Sequence, residues 1–255
     1  MTTSRTEKVY VLFGSQTGNS EEYAKTFADE LPDKLSPAAI QKLTGNSDVE
    51  ITLQPKTMQL DDFLEIQKAD WTRLVVIFVS SYGVGQAPLG CYRFRDLCDA
   101  WKDRNAANVL DGVHYALCGL GDSSYTTFFE NPTKLDQAMT QVGATRVGTL
   151  AKVDAQGTGD DAQAPVMERW KEGLWKSLAE VVVTTPPSPE QLQQMQQTTI
   201  ELCLEINPEF EMPETATSTE ASSNKGGKTD LMTMLIVPLV LALVAQVVYY
   251  FYSTQ

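Results

Sequence analysis

The chain has 255 residues, with 33 Asp and Glu against 20 Lys and Arg and a formal net charge of −13. That length holds one well-buried domain with extensions. The acidic balance, with no run of Lys and Arg interleaved with aromatics, disfavours a nucleic-acid surface and suits a basic protein partner. Cys91, Cys98, Cys118 and Cys203 form no CxxC pair and there is one histidine, so no metal site is expected and the thiols read as reduced and cytosolic.

Residues 1–8 are polar, lack the apolar core of a secretory signal, and read as a short extension. From 9 to 183 short apolar runs alternate with amphipathic stretches, which is the pattern of an α/β domain with helices on both faces of a parallel sheet. Strands are expected at 9–13, 49–53, 74–79, 113–118 and, more weakly patterned, 146–153. The central ones are near-continuous Val, Ile, Leu and Phe, as strands buried on both faces should be. Helices are expected between them at 21–31, 60–68, 89–102, 134–142 and 166–182. In the last, Val166, Met167, Trp170, Leu174, Leu178 and Val181 recur at helical intervals.

After Val183 the pattern stops. Thr-Thr-Pro-Pro-Ser-Pro at 184–189 opens a linker running to 230, in which Ser188-Pro189-Glu190 can start an isolated helix over 190–204. Residues 208–229 are rich in Glu, Thr, Ser, Pro and Gly and read as a tether, too poor in apolar side chains to offset ordering entropy. Residues 231–252 follow without a charge, dominated by Leu, Val and Met and closing on Tyr249, Tyr250, Phe251 and Tyr252. At about 1.5 Å per residue such a helix crosses a hydrocarbon core of roughly 30 Å, with the aromatics at the headgroup level. Lys225 and Lys228 precede the span and only 253–255 follow it, so the expectation is a single-pass, tail-anchored protein with a cytosolic head. The endoplasmic reticulum is favoured over the mitochondrial outer membrane.

The candidate chemistry sits at strand ends. The first strand runs into Gly14, then Ser15, Gln16, Thr17, Gly18, Asn19 and Ser20, then Glu21-Glu22 at a helix start. Backbone N–H groups and the positive end of the helix dipole converge there on an anion. No Lys follows as in a Walker loop and there is no GxGxxG, so neutral donors sized for one terminal phosphate are the expectation; alone, the loop also reads as an ordinary capped turn. The third strand ends in Ser80, Ser81, Tyr82, Gly83, Val84, Gly85 and Gln86. The fourth ends in Gly119, Leu120, Gly121, Asp122, Ser123, Ser124 and Tyr125. Ligands of open parallel sheets bind beyond the carboxyl ends of strands, so three loops should meet around one crevice, with a tyrosine on each later loop to face a planar heterocycle.

At these residues, together with Phe128 and Lys134-Leu135-Asp136, the chain resembles the flavodoxin-like FMN domain of the diflavin reductases, the NADPH haemoprotein reductase and sulfite reductase flavoprotein type, over about residues 8–182. The resemblance implies a doubly wound five-stranded sheet in the order 2-1-3-4-5. It implies that the first loop binds the FMN phosphate, that Tyr82 and Tyr125 lie on the two ring faces, and that the Gly83 carbonyl can accept a bond from the flavin N5–H after one-electron reduction. Asp154 aligns with an acidic position near the flavin. The neutral Val84 and Gln86 depart from the acidic residues usual in the family's loop after Tyr-Gly, which bears on the docking surface. With no second flavin domain following, the expectation is a one-electron carrier that takes electrons from a separate NAD(P)H-dependent flavin reductase. It would pass them to a haem or iron–sulfur protein at the membrane. A non-redox docking module with the same fold and an FMN-dependent quinone reductase are the alternatives.

Overall fold

The computed structural model describes residues 3–65 and 72–206. The expected tether at 208–229 and apolar span at 231–252 lie outside the described residues. Among the described residues no helix is long and apolar enough to cross a membrane.

In chain order the elements are β1 (Thr3–Gly14), α1 (Asn19–Lys34), α2 (Pro37–Thr44), β2 (Val49–Gln59), β3 (Leu74–Ser80), α3 (Tyr92–Asp103), β4 (His114–Gly121), α4 (Glu130–Gln141), β5 (Thr145–Arg146), β6 (Ala151–Asp154), α5 (Gln163–Val182) and α6 (Pro189–Ile206). The sheet is parallel with the order β2-β1-β3-β4-β5, and β6 also pairs with β4. The expected fifth strand is therefore two short segments at one edge. Val147-Gly148-Thr149-Leu150 interrupts it, so that Tyr115 faces Arg146 while Cys118 faces Ala151.

Successive strand side chains point to opposite faces, and the core divides accordingly. Tyr10, Leu12, Val75, Ile77 and Val79 pack with Phe94, Leu97, Trp101 and Leu135 on the side of α3 and α4. Val9, Val11, Phe13, Val76 and Phe78 pack with Phe27, Leu31, Trp170 and Leu174 on the side of α1 and α5. There the Phe27 and Trp175 rings stack with centroids 4.7 Å apart. A central strand needs apolar residues at every position to fill both layers, and Leu74 to Val79 are all buried.

Four expectations change. The strands β1 and β2 run well beyond 9–13 and 49–53, pairing as far back as Thr3 with Val49. The helix expected at 60–68 is, over its described part, a single 3-10 turn at Asp61–Glu65, whose Asp61 carboxylate instead accepts from the N–H groups of Tyr92 (3.1 Å) and Phe94 (2.9 Å) at the start of α3. The helix α2 was not expected, although Ser36 caps it with Pro37 following and Gly45 closes it at φ 70°. Finally, the helix expected to be isolated at 190–204 is α6, and it is not isolated: Leu192 and Met195 join the core on the α3 side. Structure thus continues past Val183.

At the amino end of the sheet Arg73 is buried among Glu7 (3.1 Å) and the carbonyls of Val181, Val182 and Thr184, pinning the end of α5 to β1. Nearby His114 sits half-buried with Nδ1 3.2 Å from the Gly112 carbonyl. Burial, with Arg73 beside it, holds its pKa below the ordinary imidazole value, the condition of a structural histidine.

Candidate functional site

The carboxyl ends of β1, β3 and β4 open on one crevice of about 350 Å³. That lies within the roughly 300–1,000 Å³ range of small-molecule sites. From the first loop Ser15, Gln16, Thr17, Asn19 and Ser20 line it; from the second, Ser80, Ser81, Tyr82 and Gly83; from the third, Leu120, Gly121, Asp122, Tyr125 and Phe128. Thr127, Ala155 and Gln163, which the sequence did not single out, line it too.

The first loop is rigidly placed. Gly14 can have no side chain, since a Cβ there would meet the Cys91 Cβ at 2.7 Å. The Ser15 N–H donates to the Leu89 carbonyl at 3.0 Å, so the loop is fastened to the segment before α3. Gly18 takes φ 96° at the head of α1, and the Ser15 hydroxyl oxygen accepts from the N–H groups of Gly18 (3.0 Å) and Ser20 (3.2 Å). Ser20 is buried, and among the described residues its hydroxyl oxygen has no hydrogen-bond partner. A buried, unpaired hydroxyl costs roughly 1–3 kcal/mol, so its place on the crevice wall calls for a bound acceptor.

The second loop is held from below by Asn131, which is fully buried. Its amide donates to the Ser80 carbonyl at 3.0 Å, its N–H to the Ser81 hydroxyl at 3.1 Å, and its Oδ1 accepts from Arg95 at 3.0 Å. Sequence reasoning missed it, since Asn131 lies ahead of the helix expected at 134–142 although α4 begins at Glu130. In the third loop the Asp122 carboxylate accepts from the Ser124 N–H (2.9 Å), the Ser124 hydroxyl (2.6 Å) and Gln156 (3.0 Å). The Ser124 hydroxyl and N–H, with Gln156, hold its pKa below the ordinary carboxylate value. The large exposed aromatics here are Tyr82 (49 % exposed) and Tyr125 (59 %), rings left in solvent on the walls of a slot.

Four of the expected residues stand elsewhere than on the crevice wall. Gly18 shapes the first loop. Gly119 passes beneath α4, where a Cβ would come within 2.4 Å of the Phe129 ring, so its role is packing. Gly85 is buried against the Glu130 side chain, which a Cβ would meet at 2.4 Å. Asp154 accepts from the N–H groups of Ser123 (2.9 Å) and Gln156 (3.0 Å), bracing the third loop from β6. Burial works against its ionised form, but these hydrogen bonds outweigh it and keep the pKa low.

The sequence pattern of the family Flavodoxin matches residues 11–170. The chain is a member of the flavodoxin family. This flavodoxin is 32 % identical over 179 residues to the NADPH–cytochrome P450 reductase of Saccharomyces cerevisiae, covering 69 % of this chain and 22 % of that protein. It is 31 % identical over 169 residues to the methionine synthase reductase of Caenorhabditis elegans, covering 66 % and 21 %. The chain thus spans about a fifth of the length of these curated relatives. Among solved structures, a point mutant of Flavodoxin from Pseudomonas aeruginosa is 24 % identical, with a TM-score of 0.41 over 66 % of this chain and 98 % of that one.

The cofactor of a flavodoxin is FMN, and the crevice residues fit it. The unpaired Ser20 hydroxyl, the neighbouring hydroxyls and the start of α1 suit a phosphate; the exposed Tyr82 and Tyr125 suit a planar ring. Among the described residues no Lys or Arg lines the crevice, so the anion would be met by dipoles. Replacing Ser20 with alanine should therefore leave the melting temperature of the FMN-free protein unchanged or slightly raised. FMN binding should weaken about tenfold, for one charge-assisted hydrogen bond to phosphate of ~1.5 kcal/mol. Equal losses in both, by calorimetry and fluorescence titration, would show that the hydroxyl serves the fold instead.

Proposed function

We propose that this flavodoxin is a membrane-tethered one-electron carrier. FMN supplies single-electron exchange when bound. Ser15, Gln16, Thr17, Gly18, Asn19 and Ser20 hold the phosphate. Tyr82 and Tyr125 cover the ring faces and exclude water from them, and Leu120, Gly121 and Asp122 bound the ring edge, with the Gly83 carbonyl available to an N–H there. Electrons arrive from a separate NAD(P)H-dependent flavin reductase and leave to a haem or iron–sulfur protein. The relatives named as NADPH reductases support the donor's chemistry. The uncharged run at 231–252 supports a helix that anchors the head to the endoplasmic reticulum on its cytosolic side, with 208–229 as the tether.

The observation that carries this reading is the meeting of an unpaired phosphate-loop hydroxyl and two solvent-exposed tyrosines in one crevice at three strand ends. Anaerobic stepwise reduction of the full chain, purified with FMN in detergent micelles, tests it. A carrier takes up its electrons in two separated one-electron stages, seen as distinct absorption changes. One unresolved two-electron stage contradicts the proposal and leaves a docking module or a quinone reductase.

A further inference from the structure

The two tyrosine loops are tied together by the Thr127 side chain. Thr127 lies two residues after Tyr125, lines the crevice, and donates its hydroxyl to the Gly83 carbonyl at 3.1 Å. That carbonyl stands at the tip of a tight loop whose base is closed twice, by the Tyr82 N–H to the Gln86 carbonyl (3.0 Å) and the Gln86 N–H to the Tyr82 carbonyl (2.8 Å). The tip itself carries two glycines at positive φ, 52° at Gly83 and 85° at Gly85. Glycine takes either sign of φ at little cost, so the closed base leaves the direction of the Gly83 peptide to be set by hydrogen bonds from outside the loop. Thr127 provides such a bond, and it does so from the third loop.

The consequence follows from the chemistry of the flavin ring edge, and so rests on the FMN reading of the crevice. Oxidised FMN has an unprotonated N5, an acceptor that repels a carbonyl oxygen. When the ring takes one electron from a reductant and one proton from solvent at N5, no covalent bond of the protein is broken, and N5–H becomes a donor that competes with the Thr127 hydroxyl for the same oxygen. A hydroxyl that holds the carbonyl therefore favours one redox form of the bound cofactor over the other. We propose that Thr127 is a positioning residue that holds the Gly83 carbonyl in the arrangement oxidised FMN requires, weighting the first one-electron step toward the oxidised side.

The test compares wild type, Thr127→Val, which keeps the shape and loses the donor, and Thr127→Ser, which keeps the donor. Thr127→Ala is a second donor-less variant should valine crowd the half-buried site. Each full chain is titrated with oxidised FMN, and its first reduction step is measured against dyes of known potential. In the valine variant the dissociation constant of oxidised FMN should hold, because the bond is present without FMN and is lost from the free protein and the oxidised complex alike. The equilibrium constant of the first reduction should rise about fivefold, the effect of one neutral hydrogen bond that the reduced form no longer has to give up. Serine should restore the wild-type equilibrium. If valine and alanine leave the reduction equilibrium unmoved, Thr127 only buttresses the slot and the proposal is overturned. A wild-type chain that binds no FMN would refute the reading of the crevice itself, which is a different failure.

Discussion

Replacing Tyr125 with alanine should raise the FMN dissociation constant about thirtyfold, and Tyr82→Ala should do nearly the same. Each ring would lose contact with one face of the heterocycle, an area worth ~2 kcal/mol from burial and stacking together. In the free protein both rings are about half in solvent and join neither core cluster, so the melting temperature of the FMN-free protein should hold within about 2 °C. The separation of the two readouts is the informative part. A residue whose removal costs affinity without stability is held in place for a ligand, whereas a packing tyrosine loses both. A substantial fall in melting temperature, or retention of FMN at wild-type strength, would place these rings outside cofactor binding.

At the other end of the sheet the opposite separation is expected. Arg73 is 3 % exposed and bonds Glu7, the Thr184 hydroxyl and the carbonyls that end α5. Arg73→Ala leaves the Glu7 carboxylate, itself 10 % exposed, with Arg5 at 2.7 Å as its remaining cation among the described residues, and strips those carbonyls of a donor. Breaking a buried ion pair from one side costs about 3–5 kcal/mol, and the remaining Arg5 contact argues for about 3. Urea denaturation of the FMN-free protein should show that loss at an unchanged slope. The folded fraction should bind FMN as before, since Arg73 precedes β3 and the crevice lies beyond its far end. A loss below about 1 kcal/mol would mean that the network contributes no more than a surface pair.

What the sequence revealed and what it hid have the same physical origin. The layered fold was legible because β3 and β4 are buried on both faces and must be apolar throughout; such runs are hard to mistake, whereas the strand order was implied only by the family resemblance. The outer parts of β1 and β2 were not, because a ribbon at the sheet edge alternates and carries Thr6, Lys8, Glu50 and Gln54 among its residues. The helix α2 buries Ile40 and little else, so it leaves no helical stripe. In α6 the side carrying Leu192, Met195 and Thr199 was legible, but its packing against the domain was not, since the Gln-rich run includes the buried Gln196 and reads as solvated.

The site followed the same rule. Residues whose type is demanded by the chemistry, the hydroxyls of the first loop and the two tyrosines, could be read from the chain, and the crevice brings them together. The glycines at 85 and 119 do not line the crevice, and a Cβ there would meet Glu130 and Phe129. The positioning residues Thr127 and Asn131 are ordinary polar side chains whose meaning comes from what they touch, Gly83 and Ser80, some 44 to 51 residues away in sequence. The Thr-Thr after Tyr125 was the one available signal.

The central claim is that a mononucleotide, through its phosphate, is what this crevice is built to hold. It is tested by titrating the FMN-free full chain in detergent with FMN and, separately, with riboflavin, following flavin fluorescence. FMN should bind, and riboflavin should bind at least about a hundredfold more weakly, since two charge-assisted hydrogen bonds to phosphate at ~1.5 kcal/mol each already give that ratio. Equal affinities for the two, or no binding of either, would contradict it.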